Sequence, residues 1–403
     1  MYSLYLHIPF CRHRCGYCDF NTYASLETLI PDYVEALCVE VRSLAQAASD
    51  PLPVHTVFFG GGTPSLLPVN AVRQILNTIE QFFALTSETE VSLEANPETL
   101  SQNYLSGLRE AGVNRLSLGV QSAHPGELRL LERTHDYPDV IQSVLWARRA
   151  GFDNLNLDLI YGLPEQKRAT WQTTLELALG LQPEHLSLYA LSLEHGTPFS
   201  HWAAHGLLSS PDPDLAADMY DYATDRLEAA GCIQYEISNW ARALPADQNQ
   251  TSQSPALACR HNLQYWRNLP YLGFGAAGAH GYAHQYRTAN LLSPAAYIKA
   301  LRMDAPKRPP FPRSPATQNL VQIDLSAEIA ETLMMRLRLT REGVSEKQFE
   351  QRFELSLEDK FARQIEQLIN LGLLEWIQDP QSRHLRLTRA GRLLGNQVFR
   401  EFI

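Results

Sequence analysis

Three cysteines fall within eight positions, at Cys11, Cys15 and Cys18. A disulfide among them would leave one thiol over, so the spacing points to a metal or a cluster held by thiolates. Structural zinc takes four protein ligands, commonly from two separated pairs. No second cysteine pair is present, although His7 or His13 could complete a zinc set. A four-iron cluster can instead be held by three thiolates, leaving one iron open to a further ligand. Cluster, zinc and inert thiols are the chemistries open at this loop, and the spacing favours the cluster. The other cysteines, Cys38, Cys232 and Cys259, are scattered, which suits a reducing cytoplasm better than a disulfide scaffold.

Other groups able to do chemistry recur at regular intervals, each at the end of a short apolar run. Gly60-Gly61-Gly62-Thr63-Pro64 would let backbone approach a bound cofactor, or simply turn tightly. Glu94 could bind ribose hydroxyls, while Gln121 and Asp158 follow at comparable places. The elements that must position them are strands expected over 4–8, 55–59, 90–95, 115–120, 155–160 and 186–191. Several read as apolar almost throughout, as strands covered on both faces do. Helical spacing fills 30–48, 71–84, 101–111 and 170–181 between them. Ala-Gly recurs at 111–112, 150–151 and 230–231, where glycine would end a helix before the next strand. Such a series of βα units predicts an α/β fold with a parallel sheet, curved into a full or partial barrel. A flat doubly wound sheet is the alternative.

The alternation stops near residue 240. Residues 241–258 read as a flexible excursion, and 305–315, with five prolines, as extended chain. Helices are expected over 326–337, 345–352 and 358–371, then a short strand pair around a polar turn at 379–383, and a last helix to about 399. That order makes a winged-helix-like α+β module. It carries no dense basic run, and Lys plus Arg number 34 against 44 acidic residues, for a net charge of −10. A nucleic-acid partner is therefore not expected, and packing or partner docking suits the module at least as well. No apolar run reaches the ~18 residues of a membrane helix, and the N-terminus lacks the pattern of a secretory signal. At 403 residues, two or three domains are expected, drawn at 1–235, 236–320 and 321–403.

The CxxxCxxC loop, with Tyr17 before its third cysteine, resembles the signature of the radical S-adenosylmethionine (SAM) enzymes. The resemblance implies a partial (β/α)6 TIM-like barrel. It also implies a [4Fe-4S] cluster on Cys11, Cys15 and Cys18, whose open iron is chelated by SAM. Tyr5-Leu6-His7-Ile8-Pro9-Phe10-Cys11, Gly60–Pro64 and Gly119–Ser122 narrow it, over nearly the whole chain, to the oxygen-independent coproporphyrinogen oxidases and the related HemW heme chaperones. That narrower resemblance implies SAM contacts from Tyr5, Gly61, Gly62, Thr63, Glu94, Gln121, Arg133 and Asp158. Arg133 stands out, since nothing in its local sequence separates it from an ordinary surface arginine.

Three features favour the chaperone branch. The oxidases carry a fourth cysteine two positions after the third, where this chain has Phe20. They also have an N-terminal extension for which residues 1–10 leave no room. Finally, His261-Asn262-Leu263-Gln264-Tyr265-Trp266 matches the HNxxYW heme motif of the chaperones. Imidazole is a good axial ligand, and Tyr265 and Trp266 offer flat area to a porphyrin. Cys259 is another candidate iron ligand and Arg260 a propionate partner, while plain packing of His261 and Trp266 is the alternative. The expected protein binds heme, cluster and SAM and passes heme to apoproteins, probed against two alternatives: a coproporphyrinogen III oxidase and a zinc-bound winged-helix regulator. A homodimer, membrane association of the acceptors and use of the radical chemistry stay open.

Overall fold

The structure, a computed structural model, describes residues 1–247, 252–276, 280–283, 285–302, 309–380 and 382–403. Parts of the stretches 241–258, 305–315 and 379–383 lie outside the described residues. Two compact units are present, one of residues 1–184, 188–219 and 270–322, the other of 185–187, 220–269 and 323–403. The segment 236–320 is thus divided between the units, with its heme motif in the second.

In the first unit, β1 (Tyr2–Ile8), β2 (Val54–Gly61), β3 (Glu90–Ala95), β4 (Arg115–Gln121) and β5 (Leu155–Tyr161) pair in parallel in that order. Next in the order stands β6 (His185–Ala190), so all six expected strands form, within a residue or two of their predicted bounds. Helices Ile30–Ala47, Val69–Phe82, Gln102–Glu110 and Tyr137–Arg149 connect the first five. Helix Arg168–Gly180 follows β5. Glycines of the Ala-Gly repeat take φ of +106° at Gly112, +86° at Gly151 and +81° at Gly231, the left-handed turn-out that a side chain resists.

The strands are not apolar on both faces, and here the sequence reading needs correction. Leu93, Leu116, Leu118, Leu155, Leu157 and Leu159 point one way and are wholly buried. The alternate positions carry Ser92, Glu94, Arg115, Ser117, Asn156 and Asp158. Side chains alternate along a strand, so one face packs against helices while the other forms a polar barrel interior.

The sheet also continues past residue 240, which composition alone concealed. Tyr271–Phe274 pairs in parallel with the free edge of β1, and His280–Ala283, Tyr286–Asn290 and Thr317–Gln322 extend it antiparallel. Buried Glu40 fastens this extension to helix Ile30–Ala47. Its carboxylate accepts hydrogen bonds from Gly275 N at 2.8 Å, Asn290 Nδ2 at 2.7 Å, and Tyr297 Oη and Ser314 Oγ at 2.6 Å. Four donors satisfy a group that would otherwise be costly to bury.

In the second unit, helices Leu325–Arg336, Glu346–Phe353 and Leu357–Asn370 start at Asp324, Ser345 and Ser356, each side chain capping a backbone N–H. They pack with Leu374–Gln378 and Arg383–Leu387 around Leu333, Leu337, Phe349, Phe353, Leu368 and Leu385. The expected wing gains a third strand, Val344–Ser345, and the last expected helix is two short ones, Arg389–Leu393 and Gly395–Arg400.

Candidate functional site

A cavity of about 400 Å³ lies at the C-terminal ends of the parallel strands, where barrel folds gather ligands. Cys11, Cys15 and Cys18 line it, together with Gly61, Gly62, Thr63, Glu94, Gln121, Arg133 and Asp158. The cavity thus gathers every sequence-predicted cluster and SAM residue except Tyr5. The Tyr5 ring does not line it; it is stacked on Phe58 with centroids 6.3 Å apart, and its hydroxyl meets His7 Nδ1 at 3.1 Å.

The glycine loop is pressed against the cysteine loop. Gly62 N donates to the Ile8 carbonyl at 2.9 Å, and Thr63 N to that of Phe10 at 2.8 Å. A Cβ at Gly62 would lie 2.7 Å from the Phe10 carbonyl oxygen and 3.0 Å from Cys11 Sγ. At Gly61, whose φ is +115°, a Cβ would strike the His7 ring at 2.6 Å. His7 joins the two loops: Nε2 donates to the Asn21 carbonyl at 3.2 Å, beyond the third cysteine. Burial holds this imidazole down at a pKa of about 4, so it stays neutral.

Polar groups of neighbouring strands meet inside the cavity. Asp158 accepts from Ser117 Oγ at 2.9 Å and from Asn156 Nδ2 at 2.8 Å. Gly61 N donates to Glu94 at 3.1 Å. Burial first, and the charge of Asp158 next, push the Glu94 carboxyl up to about 8. Arg133 reaches in from the loop after the short helix Pro125–Leu130. It donates to the Gly119 carbonyl at 3.0 Å and to Asn96 Oδ1. Buried Leu131 and His135 hold this loop on either side, with His135 Nε2 donating to the Val120 carbonyl at 3.1 Å. Arg133 is thereby an interior residue, which its local sequence did not reveal.

The donor set fits an iron–sulfur cluster. Among the described residues, no three Cys, His, Asp or Glu side chains converge as they would around a single metal ion. Three thiols lining one cavity suit a cluster, in which each binds a different iron. Arg133 lies close enough to Cys15 and Tyr17 to stabilise negative charge there. Burial pushes all three thiols up, so a metal must draw off their protons on binding.

Sequence reasoning missed His7 as a brace, and missed Asn96, Ser117 and Asn156. A signal for the last two was present: polar residues alternate with leucines at Ser117-Leu118 and Asn156-Leu157-Asp158.

The heme-motif residues belong to the second unit, on helix Arg260–Trp266. His261 and Tyr265 are one helical turn apart, and His261 Nε2 meets Tyr265 Oη at 3.0 Å. His261 and Cys259 are each 1% exposed, whereas Asn262, Tyr265 and Trp266 are half-buried and Arg260 is exposed. Trp266 packs on the Tyr235, Leu263 and Leu339 cluster, with the Arg338 guanidinium 4.8 Å from its ring centroid. Its indole N–H is buried without a hydrogen-bond partner. Just beyond the helix, Arg267 forms a paired ion contact with Glu342, at 2.6 and 2.9 Å.

Comparison with known proteins agrees with this geometry. Residues 5–178 match the radical SAM superfamily and residues 323–394 the HemN C-terminal domain. The chain is 37% identical to the heme chaperone HemW of Bacillus subtilis, covering all of this chain and 99% of that protein. It is 39% identical to the heme chaperone HemW of Synechocystis, over 84% of this chain and 78% of that one. A mouse mitochondrial protein, radical S-adenosyl methionine domain-containing protein 1, is 38% identical over 92% of this chain and 81% of its own. Among solved structures, coproporphyrinogen III oxidase (HemN) from Escherichia coli superposes with a TM-score of 0.80 at 24% identity, covering 99% of this chain and 89% of the oxidase, which establishes the shared fold.

Proposed function

The chain belongs to the HemW family of heme chaperones within the radical SAM superfamily, and from that premise we propose that it binds heme and delivers it to apoproteins such as respiratory-chain cytochromes. The observation that carries the cofactor part of this reading is the cavity shared by the three thiols and the polar ends of four strands, while the heme part rests on the similarity to the HemW chaperones and on the motif at His261. Cys11, Cys15 and Cys18 hold a [4Fe-4S] cluster in this proposal. Gly61, Gly62, Thr63, Glu94, Gln121, Arg133 and Asp158 bind SAM, with Tyr5 in a supporting role. When bound, the cluster supplies an electron-donating iron site to which SAM can be chelated.

The chain's own residues divide the remaining work. Gly61 and Gly62 bring backbone close to the ligand. Glu94 and Asp158 would hold the hydroxyls of a nucleoside, Glu94 as a hydrogen-bond donor while it keeps its proton. Arg133 balances charge beside Cys15. His261 is the leading axial ligand for heme as cargo, with Asn262, Tyr265 and Trp266 around it. To serve, the His261 ring must leave Tyr265. Residues 1–235 act as the cofactor domain, 236–320 as the heme segment and 321–403 as the docking module. A cytoplasmic location and a homodimer complete the proposal; no helix among the described residues is long and apolar enough to cross a membrane.

The test is a heme titration followed by transfer to an apocytochrome, on anaerobically reconstituted protein and on a Cys11→Ser/Cys15→Ser/Cys18→Ser variant. We expect heme binding and transfer by the reconstituted protein, with transfer lost in the variant. Sustained conversion of coproporphyrinogen III to protoporphyrinogen IX, without heme transfer, would replace this reading with the oxidase.

A further inference from the structure

Beside the cysteine loop stands a pair of side chains that the cofactor site does not use. After β6 the chain forms the short helix Pro198–Ala204, begun by Thr197, whose hydroxyl accepts from Ser200 N at 3.2 Å. The helix lies directly on the cysteine loop. Phe199 N donates to the Gly16 carbonyl at 3.0 Å, and the Phe199 and Tyr17 rings meet edge to face at 6.1 Å. His201 lies on this helix and His205 is its C-cap residue, one turn on, and both are exposed.

The two imidazoles are neighbours, with ring centroids 4.2 Å apart and planes tilted by 45°. His205 Nδ1 lies 2.8 Å from the His201 carbonyl oxygen, which can only accept. The proton is therefore on Nδ1, and in the neutral ring the Nε2 lone pair is left for a ligand. Anchoring one ring nitrogen on a backbone carbonyl is the usual arrangement around a metal-bound histidine, because it fixes tautomer and ring direction. No hydrogen bond among the described residues engages the His201 ring. Nothing in the packing requires either imidazole, since both rings stand outside the core formed by Phe199, Leu131, Ile160 and Leu163.

We propose that His201 and His205 chelate a divalent transition-metal ion of the zinc, nickel or copper class at the C-terminal end of this helix. Histidines four residues apart, one in a helix and one at its C-cap, can turn a nitrogen each to one point, and such ions favour imidazole. With two protein donors, water completes the coordination. The residue after His201 is Trp202, where a hydrolytic zinc site of this spacing would carry a glutamate base, so the site is a binding site without hydrolytic machinery. Because Phe199 holds Gly16 and Tyr17, a bound ion would stiffen the helix that buttresses the cluster loop.

Calorimetric titration of the cluster-loaded protein with Zn²⁺ and with Ni²⁺ tests the assignment, the loaded cluster keeping Cys11, Cys15 and Cys18 occupied. Wild type is compared with His201→Ala, His205→Ala, the double variant, and the more conservative His201→Asn/His205→Asn pair. We expect one ion per chain in wild type, weakened at least about tenfold by either single change, since losing even an outer-shell partner of a metal costs that much. Both double variants should lack the event while keeping cluster absorbance and melting temperature. Unchanged stoichiometry and affinity in the double variants would overturn the assignment. So would heme binding that depends on this pair while zinc and nickel binding do not.

Discussion

In the cavity beside Cys11, the polar ends of four strands face open space, held in place by one another and by backbone. On helix Arg260–Trp266 the arrangement is reversed: the His261 ring is 1% exposed, and its nitrogen is already engaged by Tyr265. In the proposed function the first region is a preformed cofactor site. The second is closed upon itself, and heme bound there as proposed would compete with an internal hydrogen bond worth about 0.5–1.5 kcal/mol net. A resident cofactor suits the first arrangement, since preorganisation adds to affinity. Cargo that must leave again suits the second, because the protein's own contact helps to displace it.

The largest expected effect comes from filling the preformed site. Gly62→Ala puts a methyl 2.7 Å from the Phe10 carbonyl and 3.0 Å from Cys11 Sγ, so one loop must move. Overpacking of this kind costs about 1–3 kcal/mol. SAM affinity measured by equilibrium dialysis on reconstituted protein should fall at least about tenfold, which is about 1.4 kcal/mol. Heme affinity at the motif helix should stay unchanged. Equal losses at both sites would break the contrast between them.

A smaller effect is expected at Glu94. Its carboxyl is raised from 4.5 to about 8 in the folded protein, by burial first and Asp158 second. Between those values the folded chain keeps a proton that the unfolded chain releases, so this contribution to stability falls as pH rises. It is fully present below about 4.5 and gone above about 8. Glu94→Gln carries no such proton, and its melting temperature should fall less steeply than that of wild type across this window. Parallel melting curves would mean that Glu94 is already ionised when folded.

Much of the first unit was legible because its physics is local. Short apolar strands, helices of regular spacing and Ala-Gly stops recur in phase, and CxxxCxxC is compact enough to read at sight. Arg133 was not legible from its surroundings, since its placement depends on Leu131 packing with Ile160 and Phe199, on His135 bonding to Val120 of β4, and on acceptors at Asn96 and Gly119. The four strands of 271–322 escaped for a similar reason. They are short, and they are fixed by pairing with β1 and by Glu40, far away in sequence. The polar barrel interior was readable in principle, through residues alternating with leucine, but apolar content masked the alternation. At the motif helix the sequence names His261 without showing whether its ring is open, because closure depends on a partner one turn later.

The most direct test of that contrast is a Soret-band titration with hemin of wild type, His261→Ala and Tyr265→Phe. Removing the Tyr265 hydroxyl takes one hydrogen bond from His261 Nε2, so Tyr265→Phe should bind heme about 2- to 10-fold more tightly, the equivalent of one lost internal hydrogen bond, and release it more slowly to an apocytochrome. His261→Ala should lose the Soret shift. Wild-type affinity in His261→Ala would contradict the account and move the heme ligand away from this helix.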